Sequence, residues 1–334
     1  MADRIARMAT RADCNIRCCV RNVGRCLLLW SDWKPIGKTS NRDTIEGGDR
    51  GLVVERYSLS HYKVDLTVPE DGRVVRGMFH ALESCFGAHR VARLAKRADE
   101  HRLPGEDYFN AFLRHNRTGI RVRGHDLAKI PRTGPMVAIA NHPTGLCDAI
   151  MLASVADRHI RSDSKLLSVR RFAFMPGWKD RCIPIDHPSP SGKPKAVEAA
   201  GFDESSEAVR QFLRAGGAVL IFPCGIGFRK NTDGHLEEGD WRHGAFAFAA
   251  KTGATVLPIH IGASGSPHRL RLHGIHPILY QAAYPFEIFH LRGKTVDITI
   301  GDPNMPELKE ALKDLSTAPE RVREIVFRLP EIYR

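Results

Sequence analysis

The feature that most restricts the fold is an apolar run that ends in reactive side chains. Residues 135–140 are apolar throughout and pass directly into Asn141, His142 and Pro143, and Asp148 lies in the helical pattern that follows at 146–155. A run this short, bounded by a Pro/Gly turn, reads as a strand rather than a helix. The chain therefore delivers a histidine to the end of a strand and a carboxylate to the start of the next helix. Loops beyond strand ends are where alternating α/β domains place their chemistry.

The same rhythm recurs downstream. Strand patterns at 119–124, 165–169, 182–186, 218–222, 254–261 and 295–300 alternate with helix patterns at 205–214 and 241–252, the latter ended by Gly253. Two helices close the chain. Strands separated by helices predict an α/β fold: a layered, mostly parallel sheet flanked by helices. Upstream, Val75, Met78, Phe79, Leu82 and Phe86 recur at helical spacing and predict a helix over 74–97, with a short helix near 108–114, as an N-terminal helical appendage. Residues 189–194 read as a Pro/Ser/Gly-rich loop.

His142 and Asp148 admit two readings. A histidine can take a proton from an alcohol, and it works better when a carboxylate accepts from its other ring nitrogen and fixes its tautomer. Alternatively, Asp148 is an acid of the first helical turn and His142 an ordinary turn residue.

The order of motifs bears on this choice. Asn141-His142, five residues, then Asp148 resembles the His-Asp motif of the glycerolipid acyltransferase superfamily. Arg181-Cys182-Ile183-Pro184-Ile185-Asp186 resembles its second block. Leu220-Ile221-Phe222-Pro223-Cys224-Gly225 resembles the third, and Val256-Leu257-Pro258-Ile259 the fourth. The opening Asn141-His142-Pro143-Thr144-Gly145 is similar to bacterial members of the hemolysin-like or lyso-ornithine lipid acyltransferase-like branch.

The resemblance implies transfer of a fatty acyl group from acyl-CoA or acyl carrier protein to a hydroxyl of a lyso-lipid, in membrane lipid biosynthesis. His142 would be the general base and Asp148 its partner. Asn141, Gly145, Pro223, Gly225, Arg229 and Lys230 would surround the substrates. No metal and no cofactor beyond the acyl donor are implied. The third block departs from the family pattern: Cys224 stands where Glu is usual, Ile226 where Thr is usual, and Gly227 where a phosphate-binding Arg is usual. Arg229 or Lys230 could take the missing role. Without it, the expected acceptor is one not read through a phosphate monoester, such as a lyso-aminolipid.

The domain reading follows: residues 1–50 a basic extension, 51–118 a helical region, 119–301 the acyltransferase domain and 302–334 the closing helices. The formal charge of +12 favours anionic partners, here an anionic membrane surface. No nucleic-acid motif is visible, and no nucleic-acid partner is expected. No run approaches the roughly 18 apolar residues of a spanning helix, so the expected location is cytoplasmic, on the inner face of the membrane. Eight cysteines without Cys-x-x-Cys pairs argue against zinc and for reduced thiols. Two other classes remain open: a thioesterase or lipid hydrolase using the same pair, and a non-catalytic basic module binding membrane or nucleic acid.

Overall fold

The computed structural model describes residues 81–334 apart from 125, 170–176, 186–195, 226–227, 231–235 and 274–276. All belong to the compact unit Ser58–Arg334. The arm at 1–50, the first part of the predicted 74–97 helix, Asp186 and the 189–194 loop lie outside the described residues.

Among the described residues the strands are β1 Gly119–Gly124, β2 Met136–Ala140, β3 Lys165–Val169, β4 Cys182–Ile185, β5 Ala218–Ile221, β6 Phe228–Lys230, β7 Leu236–Glu238, β8 Thr255–Ile261 and β9 Thr295–Ile300. Seven form one sheet in the order β1-β9-β8-β2-β5-β3-β4, and β6 and β7 form a separate hairpin. All sheet pairings are parallel except β8 with β9, so β1 and β9 run against the other five. The edge strand β1 carries Arg121 and Arg123, which reach Asp297 of β9 at 3.3 and 3.5 Å. Charged side chains on an edge oppose further strand addition.

The helices are α1 Ala88–Glu100, α2 Tyr108–Asn116, α3 Leu146–Val155, α4 Trp178–Arg181, α5 Ala196–Arg214, α6 Gly244–Thr252, α7 Pro267–His273, α8 Pro277–Ala282, α9 Tyr284–His290, α10 Pro306–Ala311 and α11 Ala318–Ile332. The predicted helix over 74–97 is broken at Phe86–Gly87, where Gly87 takes φ 96°. Side chains with a Cβ rarely adopt that conformation, so glycine sets the break. Helix α5 starts nine residues earlier than its apolar spacing predicts, at Ala196 instead of Ser205.

Two cores sandwich the sheet, and the period-two geometry of a strand divides β2 between them. Met136, Ala138 and Ala140 join the core built by α1, α2, α3 and α9, including Phe109, Phe112, Ile150 and Ile288. Val137 and Ile139 join the core of α5, α6 and α11, including Val209, Leu213, Phe246 and Val322. Burial on both faces explains why β2 is uniformly apolar instead of alternating.

This arrangement creates the site. Strands β2 and β5 are parallel neighbours, in register from Met136 opposite Ala218 to Ile139 opposite Ile221. Their carboxyl ends therefore lie side by side. From β2 the chain enters α3 on one face, and from β5 it enters α6 on the other. Such a divergence opens a crevice at the strand ends.

Candidate active site

At the end of β2, Asn141 anchors the turn. Its amide donates to the carbonyl of Ile261 at 3.0 Å and accepts from the Ile261 N–H at 2.6 Å, locking the ends of β2 and β8 together. His142 follows on this mounting. The chain then reverses through Pro143 and Gly145, whose φ 74° and ψ −119° suit glycine alone. That reversal brings the two ends of the five-residue spacer together: His142 Nδ1 lies 3.2 Å from Asp148 Oδ2. The pair is close but the ring N–H points off the line to the oxygen, so Nδ1 makes no aligned hydrogen bond.

Asp148 is fully buried, a costly place for a carboxylate unless it is hydrogen-bonded. Its Oδ2 accepts from the N–H of Thr144 at 2.6 Å and of Gly145 at 2.8 Å, and its Oδ1 accepts from the Thr144 hydroxyl at 2.6 Å. It also stands in the first turn of α3, where the helix dipole favours negative charge. Asp148 is thus a helix-start acid that is also the neighbour of the histidine. With Nδ1 turned to Asp148, the other ring nitrogen, Nε2, has no partner among the described residues. Phe222 stacks on the ring, centroids 4.0 Å apart and planes 20° apart, which limits its swing.

A second carboxylate sits on the other side of the histidine. Glu238, at the end of β7, is buried; its Oε1 accepts from the His142 N–H at 3.0 Å and from Trp241 Nε1 at 3.1 Å. The Cys224 side chain lies near enough to Glu238 to act on its carboxyl. Burial raises the Glu238 carboxyl above its usual range, opposed by Cys224 and by the charge of His142. Sequence reasoning missed Glu238, since it lies in a charged stretch without periodicity. The available signal was the Cys at 224, which left the third block without its usual acid.

The buried thiols of Cys147, Cys182 and Cys224 are held in the protonated form. Burial pushes Cys147, Cys182 and Cys224 well above the usual thiol range, and Asp148 and Glu238 add to this at Cys147 and Cys224 respectively. An activated cysteine needs the opposite, a stabilised thiolate.

The remaining predicted residues fall as follows. Pro223 is buried, and its carbonyl accepts from Arg242 N at 3.0 Å. Gly225 is exposed with φ 71°, and its N–H closes a turn onto Phe222 O at 3.1 Å. A Cβ on Gly225 would lie 3.6 Å from the Arg242 guanidinium carbon, so the second turn carries a cation that the sequence patterns did not single out. Arg229 and Lys230 lie on β6, Arg229 opposite Glu237 of β7. They share the hairpin that supplies Glu238.

The chain is similar to several known proteins. A family model described as Acyltransferase matches residues 121–262, a stretch that includes β2, β5, β8 and both turns. A lyso-glycine lipid O-acyltransferase of Bacteroides thetaiotaomicron is 25% identical over 233 residues, covering 67% of this chain and 80% of the relative. One of the same description from Phocaeicola vulgatus is 23% identical over 239 residues, covering 69% and 80%. Among solved structures, the 1-acyl-sn-glycerophosphate (LPA) acyltransferase PlsC from Thermotoga maritima aligns over 75% of this chain and 82% of its own, with TM-score 0.38 and 15% identity. Residues 121–262 carry an acyltransferase domain. The protein is an acyltransferase.

Proposed function

We propose that the protein transfers a fatty acyl group from an acyl thioester, acyl-CoA or acyl carrier protein, to the hydroxyl of a lyso-lipid. The observation that carries this reading is the His142–Asp148 contact of 3.2 Å at the mouth of the strand-end crevice. His142 Nε2 takes the proton as the acceptor oxygen attacks the thioester carbon. The C–S bond then breaks, and the thiolate leaves with that proton. Asp148 orients the ring and stabilises the imidazolium. General base catalysis of this kind supplies about 10²–10⁴-fold, and the rest comes from holding the two substrates together.

The acceptor we favour is a lyso-aminolipid. Gly227 in place of the family's arginine supports this, as do two relatives described as lyso-glycine lipid O-acyltransferases. The net charge of +12, and the lack of any membrane-crossing helix among the described residues, support work at an anionic membrane surface on the cytoplasmic side. The test is incubation with radiolabelled acyl-CoA or acyl carrier protein and a panel of lyso-lipids. Label in a diacylated product is expected. Label only in free fatty acid would make the protein a hydrolase, and no turnover would leave a binding module.

A further inference from the structure

Beside the catalytic turn lies a half-buried arginine that neither the motifs nor the proposed chemistry uses. Arg269, on α7, has a side chain only 12% exposed. Its Nη1 lies 3.6 Å from where a Cβ on Gly145 would stand, so the guanidinium rests against the turn that presents His142. Three contacts brace it from behind. Nε donates to the Tyr280 carbonyl at 3.1 Å, the Tyr280 ring lies 4.1 Å from the guanidinium carbon, and Nη1 reaches Glu287 Oε1 at 3.5 Å.

These contacts fix the group without neutralising it. The Glu287 contact is long, and Glu287 Oε2 is already engaged by the Ser266 N–H at 2.7 Å. Nη2 has no partner among the described residues. Burial raises the Glu287 carboxyl to about 7, against the pull of Arg269, so near neutrality this partner is ionised only in part. A desolvated guanidinium paired so loosely is costly unless an anion joins it.

We propose that Arg269 binds the anionic head group of the acceptor, and that this group is a carboxylate. The inference rests on the acyl-transfer reading above. The acceptor is the substrate implicated because His142 must touch its hydroxyl, and Arg269 rests against the turn that presents His142. A monoanion fits better than a phosphate dianion because two acids lie close by: Arg269 reaches Glu287 at 3.5 Å and rests against Gly145, whose N–H donates to Asp148. A planar guanidinium fork matches a carboxylate with two charge-assisted hydrogen bonds. Arg269 would thus stand in for the arginine that the sequence lacks at position 227.

The test uses the full chain with an N-(3-hydroxyacyl)glycine and its methyl ester as acceptors. The parent should favour the free acid by at least tenfold in kcat/KM. Arg269→Gln should collapse that ratio through the acceptor KM, leaving the donor KM in place, and Arg269→Lys should retain an intermediate preference. The ratio does not depend on how much of a variant folds. A parent without preference, a ratio unchanged in Arg269→Gln, or a shift confined to the donor KM would overturn the proposal. Binding of both lipids without donor is measured in parallel. If no label is transferred, the acyl-transfer reading fails by itself, and loss of carboxylate-selective binding in Arg269→Gln still decides for or against Arg269.

Discussion

The turns after β2 and β5 stand side by side at the ends of parallel strands, yet they are organised in opposite ways. The first is self-contained: Asn141, His142, Thr144, Gly145 and Asp148 lie within eight residues, and Asp148 takes its three hydrogen bonds from Thr144 and Gly145. The second is assembled from distant parts. Cys224 belongs to the turn, but its acid, Glu238, arrives from the β6–β7 hairpin fourteen positions later. The two turns join where Glu238 grips the main-chain N–H of His142. The comparison shows that a turn can be built from local contacts while a remote segment fixes its mounting.

Loss of the base should separate the two turns most sharply. His142→Ala is expected to lower transfer by about 10²–10⁴-fold while the thermal melt stays close to the parent's, because the ring is at the surface of the crevice and not in either core. Transfer within a few-fold of the parent would remove His142 from the mechanism.

Asp148→Asn should act on both activity and stability. The amide cannot stabilise an imidazolium as a carboxylate does, and its NH₂ confronts N–H donors now served by oxygen. We expect at least a hundredfold loss of kcat and a destabilisation of about 1–3 kcal/mol, read by denaturant unfolding. A stable, fully active variant would show that the first turn is only a helix start.

Glu238 should matter less to the chemistry and more to the mounting. Glu238→Ala strands the N–H groups of His142 and Trp241, and kcat is expected to fall by about tenfold to a hundredfold. That range corresponds to roughly 1.4–2.7 kcal/mol of barrier. Glu238→Gln keeps an acceptor oxygen and should restore most of the rate. Equal losses in both variants would mean that the charge of Glu238, and not its grip on His142, is what counts.

The smallest effect concerns pH. Glu238 has a folded-state pKa above the 4.5 of the unfolded chain. Between that value and the raised one, the folded protein holds a proton that the unfolded chain has released. The contribution of Glu238 to stability is therefore greatest in acid and declines as pH rises through that window, levelling off above it. Unfolding free energies of the parent and of Glu238→Gln across this range should diverge accordingly, the variant having the flatter profile. Parallel profiles would place the titration elsewhere.

Much of this was legible in the chain itself, and the particulars show why. Uniformly apolar residues 136–140 announce a strand buried on both faces, and Gly253, observed at φ 64°, announces the end of α6. The short span from His142 to Asp148 made their pairing readable as a local event. The helix over 74–97 was misjudged at Gly87 because side-chain periodicity does not reveal where the backbone turns left-handed.

By itself, then, the sequence determined the alternation of strands and helices, the strand-end histidine with its acid, and the motif order that marks an acyltransferase. These depend on periodicity and on residues a few positions apart. The tertiary structure alone decided the antiparallel entry of β9 beside β8, the bond of Glu238 to His142 across 96 positions, and the placing of Arg269 against Gly145 across more than a hundred. Contacts of that span leave no local pattern, because they depend on which strands become neighbours in the sheet and not on the residues between them.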